Sequence, residues 1–333
     1  MSAQSKQWIW LAVAALLLAS AGVLLEGYSL RLLNLALLNV ITVIGLNLAF
    51  GYCGIIHLGQ AAFVGIGAYV TALATVKLGW PMAISIPVAM IAAASFALLV
   101  SLPLIRLKGH YLALATVGVN VILELIAKNW VEVTNGYNGV TGIPRLTDMM
   151  PGMAPEKAFI PIVSVAALVV VWIALRLRHS HLGRAMIAVR DDETAALTIG
   201  IDVGRVKVIA FTLSAVIGAL SGTLYAHYTG FISPSDFAVS QSILFLMMLV
   251  VGGEASVIGA ILGAIALTFL PELLRDLAAG YVAAGGSEKD LIARLLKDGY
   301  LVFYGLITLI VLMALPKGLA GLLQRWCGRA ASP

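Results

Sequence analysis

Charge is what this sequence has least of. Only 11% of its 333 residues are Asp, Glu, Lys or Arg, against 61% apolar ones, and the mean hydropathy is +1.01. Soluble domains run at about 25% charged and roughly 45–50% apolar, so the composition excludes a water-soluble globule and leaves an integral membrane protein. The two cysteines, Cys53 and Cys327, lie in or beside different apolar runs, which supports neither a disulfide framework nor a thiolate metal site. The net charge of +5 is scattered, with no basic run or basic–aromatic stripe, so nucleic acid is not a partner. No Gly-Lys pair occurs, so a Walker A loop to cradle a nucleotide's phosphates is absent. No Ser–His–Asp or Cys–His arrangement, and no pair of histidines on one helical face, points to catalysis or a metal centre.

What is present in quantity is the long apolar run. A bilayer-spanning helix needs about 20 apolar residues, and ten candidate runs occur. The first, Trp8 to Leu25, follows Lys6. It exceeds the roughly 7–15 residues of a signal-peptide core and lacks a small-residue cleavage site, so it reads as a retained helix. The others lie near 30–50, 58–78, 82–105, 111–131, 159–177, 207–229, 240–251, 256–275 and 299–315. The runs near 245 and 265 are joined by GGEAS (252–256), either a tight turn or a re-entrant loop. The expected fold is an all-α polytopic transmembrane bundle of eight to ten spans, forming one domain over 1–333. With ten spans and a cytoplasmic N-terminus, 12 of the 21 Lys and Arg residues fall inside, a modest agreement with the positive-inside rule.

Charge concentrates in one place. Residues 181–207 read HLGRAMIAVRDDETAALTIGIDVGRVK, and the surrounding segment 178–206 is placed in the cytoplasm. Asp191, Asp192 and Glu193 are suited to an N-cap and acidic first turn. Thr194 to Ile199 would form the helix body and Gly200 its stop. Such a helix is roughly 12 Å long at 1.5 Å per residue and needs tertiary support, being shorter than about 12 residues. Ala195 and Ile199 share a face flanked by Ala196 and Leu197. Two readings stand at this point: a plug for a groove on another protein, or a solvated loop whose acids merely cap a helix.

Within the spans, Gly218 with Gly222 and Gly259 with Gly263 are spaced for close helix packing. Gly59, Gly65 and Gly67, with Gln60 and Ala61, open the third run, as packing or as a broken helix exposing its N-terminus. Glu124 and Lys128, at i,i+4, form a helical ion pair or a polar wall of a path, since ionisable groups in a bilayer default to functional suspicion. His57, Gln60, Asn34, Asn39, Asn47 and Asn120 either line such a path or bond between helices. Tyr225, His227 and Tyr228 fall at the outer end of their run, where an interfacial aromatic belt is expected.

The run GRAMIAVRDDETAALTIGIDVGRVKVIAF resembles the cytoplasmic coupling segment of branched-chain amino acid ABC transporter permeases. Gly183, Arg184, Ala185, Arg190, Ala195, Ala196, Gly200, Ile201 and Lys207 match that family's pattern. The likeness continues in GYCGIIHLGQAAFVGIGAYVTAL (51–73), LKGHYLALATVG (107–118), TNGYNGVTGIP (134–144), LYAHYTGFISPSDF (224–237), PELL (271–274) and LPKGLAG (315–321). The order and length of the motifs are similar to the M-type member of the family's permease pair. Two departures stand out: His57 replaces a Ser or Asn, and Glu254-Ala255 replaces a Leu/Met-Gly.

The resemblance implies a non-enzymatic subunit in the bacterial inner membrane, binding no cofactor. It would form half of the translocation path for branched-chain amino acids. Two separate ATPase subunits would use the ATP and bind the segment carrying Gly183, Arg184, Arg190, Asp191, Asp192, Glu193, Ala195, Ala196, Gly200 and Ile201. A sister permease of the H type and a periplasmic binding protein complete the set. His57, Gln60, Asn47, Asn120 and Glu124 are the candidate path residues. The alternatives are import of urea, short amides or another small polar solute by the same architecture, and a self-contained carrier or channel. The second is disfavoured by the lack of a periodic array of intramembrane acids or bases.

Overall fold

The computed structural model describes residues 27–104, 109–145 and 154–283, with isolated positions between 20 and 25, at 107 and 152, and between 299 and 321. The candidate spans at 8–25 and 299–315, and most of 276–298, lie outside the continuously described residues. The remaining eight candidate runs each fall on a helix. These are α1 (Gly27–Asn47), α2 (Gln60–Val76), α3 (Met82–Leu104), α4 (His110–Asn129), α5 (Pro155–His179), α8 (Val203–Thr229), α9 (Val239–Gly252) and α10 (Val257–Ala283). Two further helices, α6 (His181–Asp191) and α7 (Glu193–Thr198), make up the charged segment. Among the described residues, six helices are long and apolar enough to cross a membrane: α1 with its extension to Tyr52, α3, α4, α5, α8 and α10. The apolar helices α2 and α9 are shorter.

Helix α8 is the hub, packing on α1, α2 and α3, while α10 lies against α1 and α9. The contacts are backbone to backbone. A Cβ on Gly67 would stand 2.1 Å from the Ala219 carbonyl oxygen, and one on Gly222 only 1.9 Å from that of Val64. A Cβ on Gly263 would be 1.9 Å from the Met248 carbonyl oxygen. In lipid there is little hydrophobic force between helices, so such close approach supplies the attraction. Packing therefore accounts for Gly67, Gly222 and Gly263. The bundle grades from centre to rim: the apolar window of α1 is 78% buried, those of α3 and α4 only 22% and 17%.

One end of the bundle is closed by Val140–Thr141 (β1) paired antiparallel with Phe231–Ile232 (β2). Arg145 donates to the Thr229 carbonyl at 3.1 Å, and His227 Nδ1 lies 2.8 Å from the Pro144 carbonyl oxygen. This covering corrects the aromatic-belt expectation. Tyr228 is 8% exposed and His227 fully buried, and the Tyr228 ring stacks on Phe159 at 4.4 Å. Both partners, Pro144 and Phe159, come from far away in sequence, so span-end position alone places His227 and Tyr228 wrongly.

Candidate functional site

The opposite end carries α6 and α7. Ser180 caps α6, its hydroxyl accepting from the Gly183 N–H at 3.1 Å. The Leu177 carbonyl oxygen sits 1.9 Å from where a Cβ on Gly183 would be, so the α5–α6 corner admits only glycine. Arg184 then folds back on that corner, donating to the His179 carbonyl at 2.9 Å and lying 3.0 Å from His181 Nδ1. Gly183, Met186 and Val189 face inward, a three-residue period that roots α6 in the bundle.

Helix α7 begins and ends on named atoms. Asp192 Oδ1 accepts from the Thr194 and Ala195 N–H groups at 2.7 and 3.0 Å. Asp191 does not share in this cap, because it is the last residue of α6. At the other end Gly200 has φ +83°, the left-handed region that a Cβ disfavours. Its N–H reaches the Leu197 carbonyl at 3.1 Å, and that of Ile201 reaches Ala196 at 3.0 Å. This is the Schellman pattern. Ala196 is 2% exposed, whereas Leu197 and Ile199 are 59% and 72% exposed and Ala195 is also exposed. Glu193 is bridged by the buried ammonium of Lys207 on α8. The short helix is thus pinned along one side and presents apolar groups on the other.

Arg190 fastens the segment to two further elements. Its guanidinium donates to the Gly51 carbonyl at 2.6 Å and to Glu254 at 3.2 Å. Gly51 belongs to a π-helical turn, Leu48–Tyr52, with which α1 ends. Such turns are frequent at functional sites. Glu254 lies in the tight turn between α9 and α10, which resolves GGEAS as a turn. Ala255 in that turn has φ +62°, and its N–H donates to Asn47 Oδ1 at 3.0 Å. A Cβ added to Gly318, from the LPKGLAG motif, would lie 2.5 Å from Gly253. Motifs distant in sequence therefore meet at this end.

The remaining candidate path residues lie deeper. After the π turn the chain runs non-helically to Gly59, and α2 starts at Gln60 inside the bundle. The Ala61 N–H donates to Ser242 of α9 at 2.9 Å. Ser214 links His57 and Gln60: its hydroxyl is 3.3 Å from His57 Nε2 and donates to Gln60 Oε1 at 3.0 Å. Asn120 and Glu124 stand apart from this group. They line a cleft between α2 and α4, where Glu124 accepts from Lys128 at 2.5 Å. The ion pair read from i,i+4 spacing is present. Asn47 joins neither cluster. Ser214, Ser242 and Arg190's link to the π turn were not identified from the sequence, since nothing local marks a cross-bundle partner.

The helical bundle and its amphipathic, externally capped segment define a polytopic membrane protein of permease type. The profile of the family described as "Branched-chain amino acid transport system / permease component" matches residues 28–314, and the chain belongs to that family. It is 33% identical to the high-affinity branched-chain amino acid transport system permease protein LivM of Escherichia coli (strain K12), over 81% of this chain and 69% of that protein. It is 24% identical to LivH of the same strain, over 84% and 89% respectively. The autoinducer 2 import system permease protein LsrC of Yersinia enterocolitica is 29% identical over 60% of this chain and 54% of its own length. No solved structure matches.

Proposed function

We propose that this chain is one permease half of an ATP-driven importer of branched-chain amino acids, itself without enzymatic activity or bound cofactor. The observation that carries the coupling role is the two-sidedness of α7: Ala196 and Glu193 are held by the bundle, while Ala195, Leu197 and Ile199 face outward. Two ATPase subunits would seat on that outward side, hydrolyse the ATP, and move α6–α7 as a lever. The lever pulls on the π turn and the α9–α10 turn through Arg190. An H-type sister permease would supply the other half of the path. A periplasmic binding protein would deliver substrate to the far end, with the N-terminus and α7 in the cytoplasm of a bacterial inner membrane. ATPase binding must differ between the two transport states, because equal affinity shifts no equilibrium.

Purified from membranes, the chain should bring ATPase subunits with it, and Ala195→Arg should lose them while remaining in the membrane. Normal ATP-driven uptake by Ala195→Arg would sink the lever. Substrate is tested separately, by binding of leucine, urea and short amides to the cognate periplasmic protein; urea binding without leucine binding overturns the amino-acid assignment.

A further inference from the structure

We propose that the cleft between α2 and α4 is a binding site for the amino acid in transit, selecting an aliphatic side chain by its apolar wall and holding the zwitterionic end at Asn120 and Glu124. This rests on the amino-acid importer reading above. The cleft has a volume of 240 Å³, and Ile66, Val70 and Leu73 of α2 face Leu123 and Ile126 of α4 across it, with Phe237 beside them. Sites for drug-sized ligands run at roughly 300–1,000 Å³, so this one suits a single small metabolite.

Asn120 is 0% exposed, and neither its Nδ2 nor its Oδ1 has a hydrogen-bond partner among the described residues. Among the described residues it is the one buried side-chain amide with both ends unbonded; Asn34, Asn47 and Gln60 each make at least one bond. An unbonded buried amide costs folding free energy, more so in a bilayer protein where water is scarce. Asn120 lines the cleft, so a polar group seated deep in it is placed to complete that bonding. An amino acid's carboxylate accepts from Nδ2.

One turn along the same face, Glu124 supplies the complementary charge. Its side chain is 15% exposed and it is held by Lys128 alone among the described residues. An incoming α-ammonium replaces the Lys128 ammonium at Glu124, exchanging one cation for another and leaving no buried charge unpaired. Lys128 already lies 5.7 Å from the centre of the Tyr137 ring, which gives it a second seat. One turn the other way, Thr116 accepts from the Leu58 N–H at 2.9 Å. The face that binds the substrate is thereby tied to the non-helical stretch following the π turn that Arg190 holds.

The test uses the complete importer in proteoliposomes at saturating binding protein, with uptake of leucine and alanine measured alongside the amount of chain in the membrane. Val70→Phe fills the apolar wall without touching a polar atom. It should lower leucine uptake at least tenfold more than alanine uptake. Asn120→Leu removes both unbonded atoms at similar size and should lower uptake of both amino acids at least tenfold. Equal effects of Val70→Phe on the two substrates, or none, overturn the proposal, and this holds whether or not Asn120→Leu accumulates. Normal uptake by an accumulated Asn120→Leu overturns the polar half. If the wild-type importer takes up neither amino acid, the importer reading falls with it. A phospholipid retained on the wild-type chain and lost from Val70→Phe, seen by native mass spectrometry, overturns the proposal in favour of a lipid site.

Discussion

The α6–α7 end and the interior treat polar groups in opposite ways. Around α6 and α7 the charges are tied to named atoms: Asp192 to two N–H groups, Arg190 to Gly51 and Glu254, Glu193 to Lys207, Asp202 to the Arg205 N–H. In the interior, the Glu124–Lys128 pair apart, the polar groups are amides, hydroxyls and imidazoles, and several lack partners among the described residues, including both ends of the Asn120 amide and His57 Nδ1. A lever has to hold its shape, and capping plus cross-links hold a short helix that would be marginal alone. A path has to bond something that comes and goes, so bonds left open inside are compatible with transport where bonds left open in the lever would not be.

The sharpest way to break this contrast is to place the same charge on the two sides of α7. Ala196→Arg forces a guanidinium into a site 2% exposed, where an unpaired charge costs several kcal/mol. The protein should fail to accumulate, as read by its level in the membrane. Ala195→Arg points outward, so accumulation should be normal and uptake lost. Equal accumulation of both variants would mean that α7 is not anchored on one side.

Arg190→Ala comes next. It removes the hydrogen bond to Gly51 and a pair with Glu254 that is nearly half exposed on the acid's side, the latter contributing only about 0–1 kcal/mol. The main loss is mechanical. Uptake per ATP hydrolysed in the reconstituted importer should fall about tenfold, a change of roughly 1.4 kcal/mol, with Arg190→Lys recovering part of it. An unchanged ratio would remove Arg190 from the coupling route. Asp192→Ala, which deletes the α7 cap, should cost about 1 kcal/mol. It should lower thermal stability by a few degrees and uptake severalfold, and Asp192→Ser should restore most of both.

The features legible beforehand were those whose cause is local. The Asp192 cap, the Gly200 stop and the Glu124–Lys128 pair depend on neighbours a few residues away, and all three are in place. The eight apolar runs within the described residues all fall on helices for the same reason. Helix α6 went unread, although Ser180 as a cap and the inward series Gly183, Met186 and Val189 were visible; the charged residues among them masked the period. Span-end position suggests a belt for His227 and Tyr228, because their burial depends on partners far away in the chain, Pro144 for His227 and Phe159 for Tyr228. Asn120 could be named as polar and in a span, but that its amide is unbonded is a property of the whole bundle.

The departure at Glu254-Ala255 gives the smallest effect and the finest test. The resemblance leads one to expect glycine where this chain has Ala255, and the backbone there is left-handed, at φ +62°. A Cβ in that region costs roughly 1–2 kcal/mol, part of which the Asn47 bond to the Ala255 N–H offsets. Ala255→Gly relieves the strain but gives the unfolded chain more freedom. The net gain should therefore be at most about 1 kcal/mol, seen as a rise of a few degrees in Tm with uptake unchanged. Pairing it with Glu254→Leu separates the two halves of the departure: Ala255→Gly should act on stability, and Glu254→Leu on coupling through Arg190. If the double variant loses more coupling than Glu254→Leu alone, the turn's strained geometry is itself part of how α7 pulls on the bundle, and the two departures work as one unit.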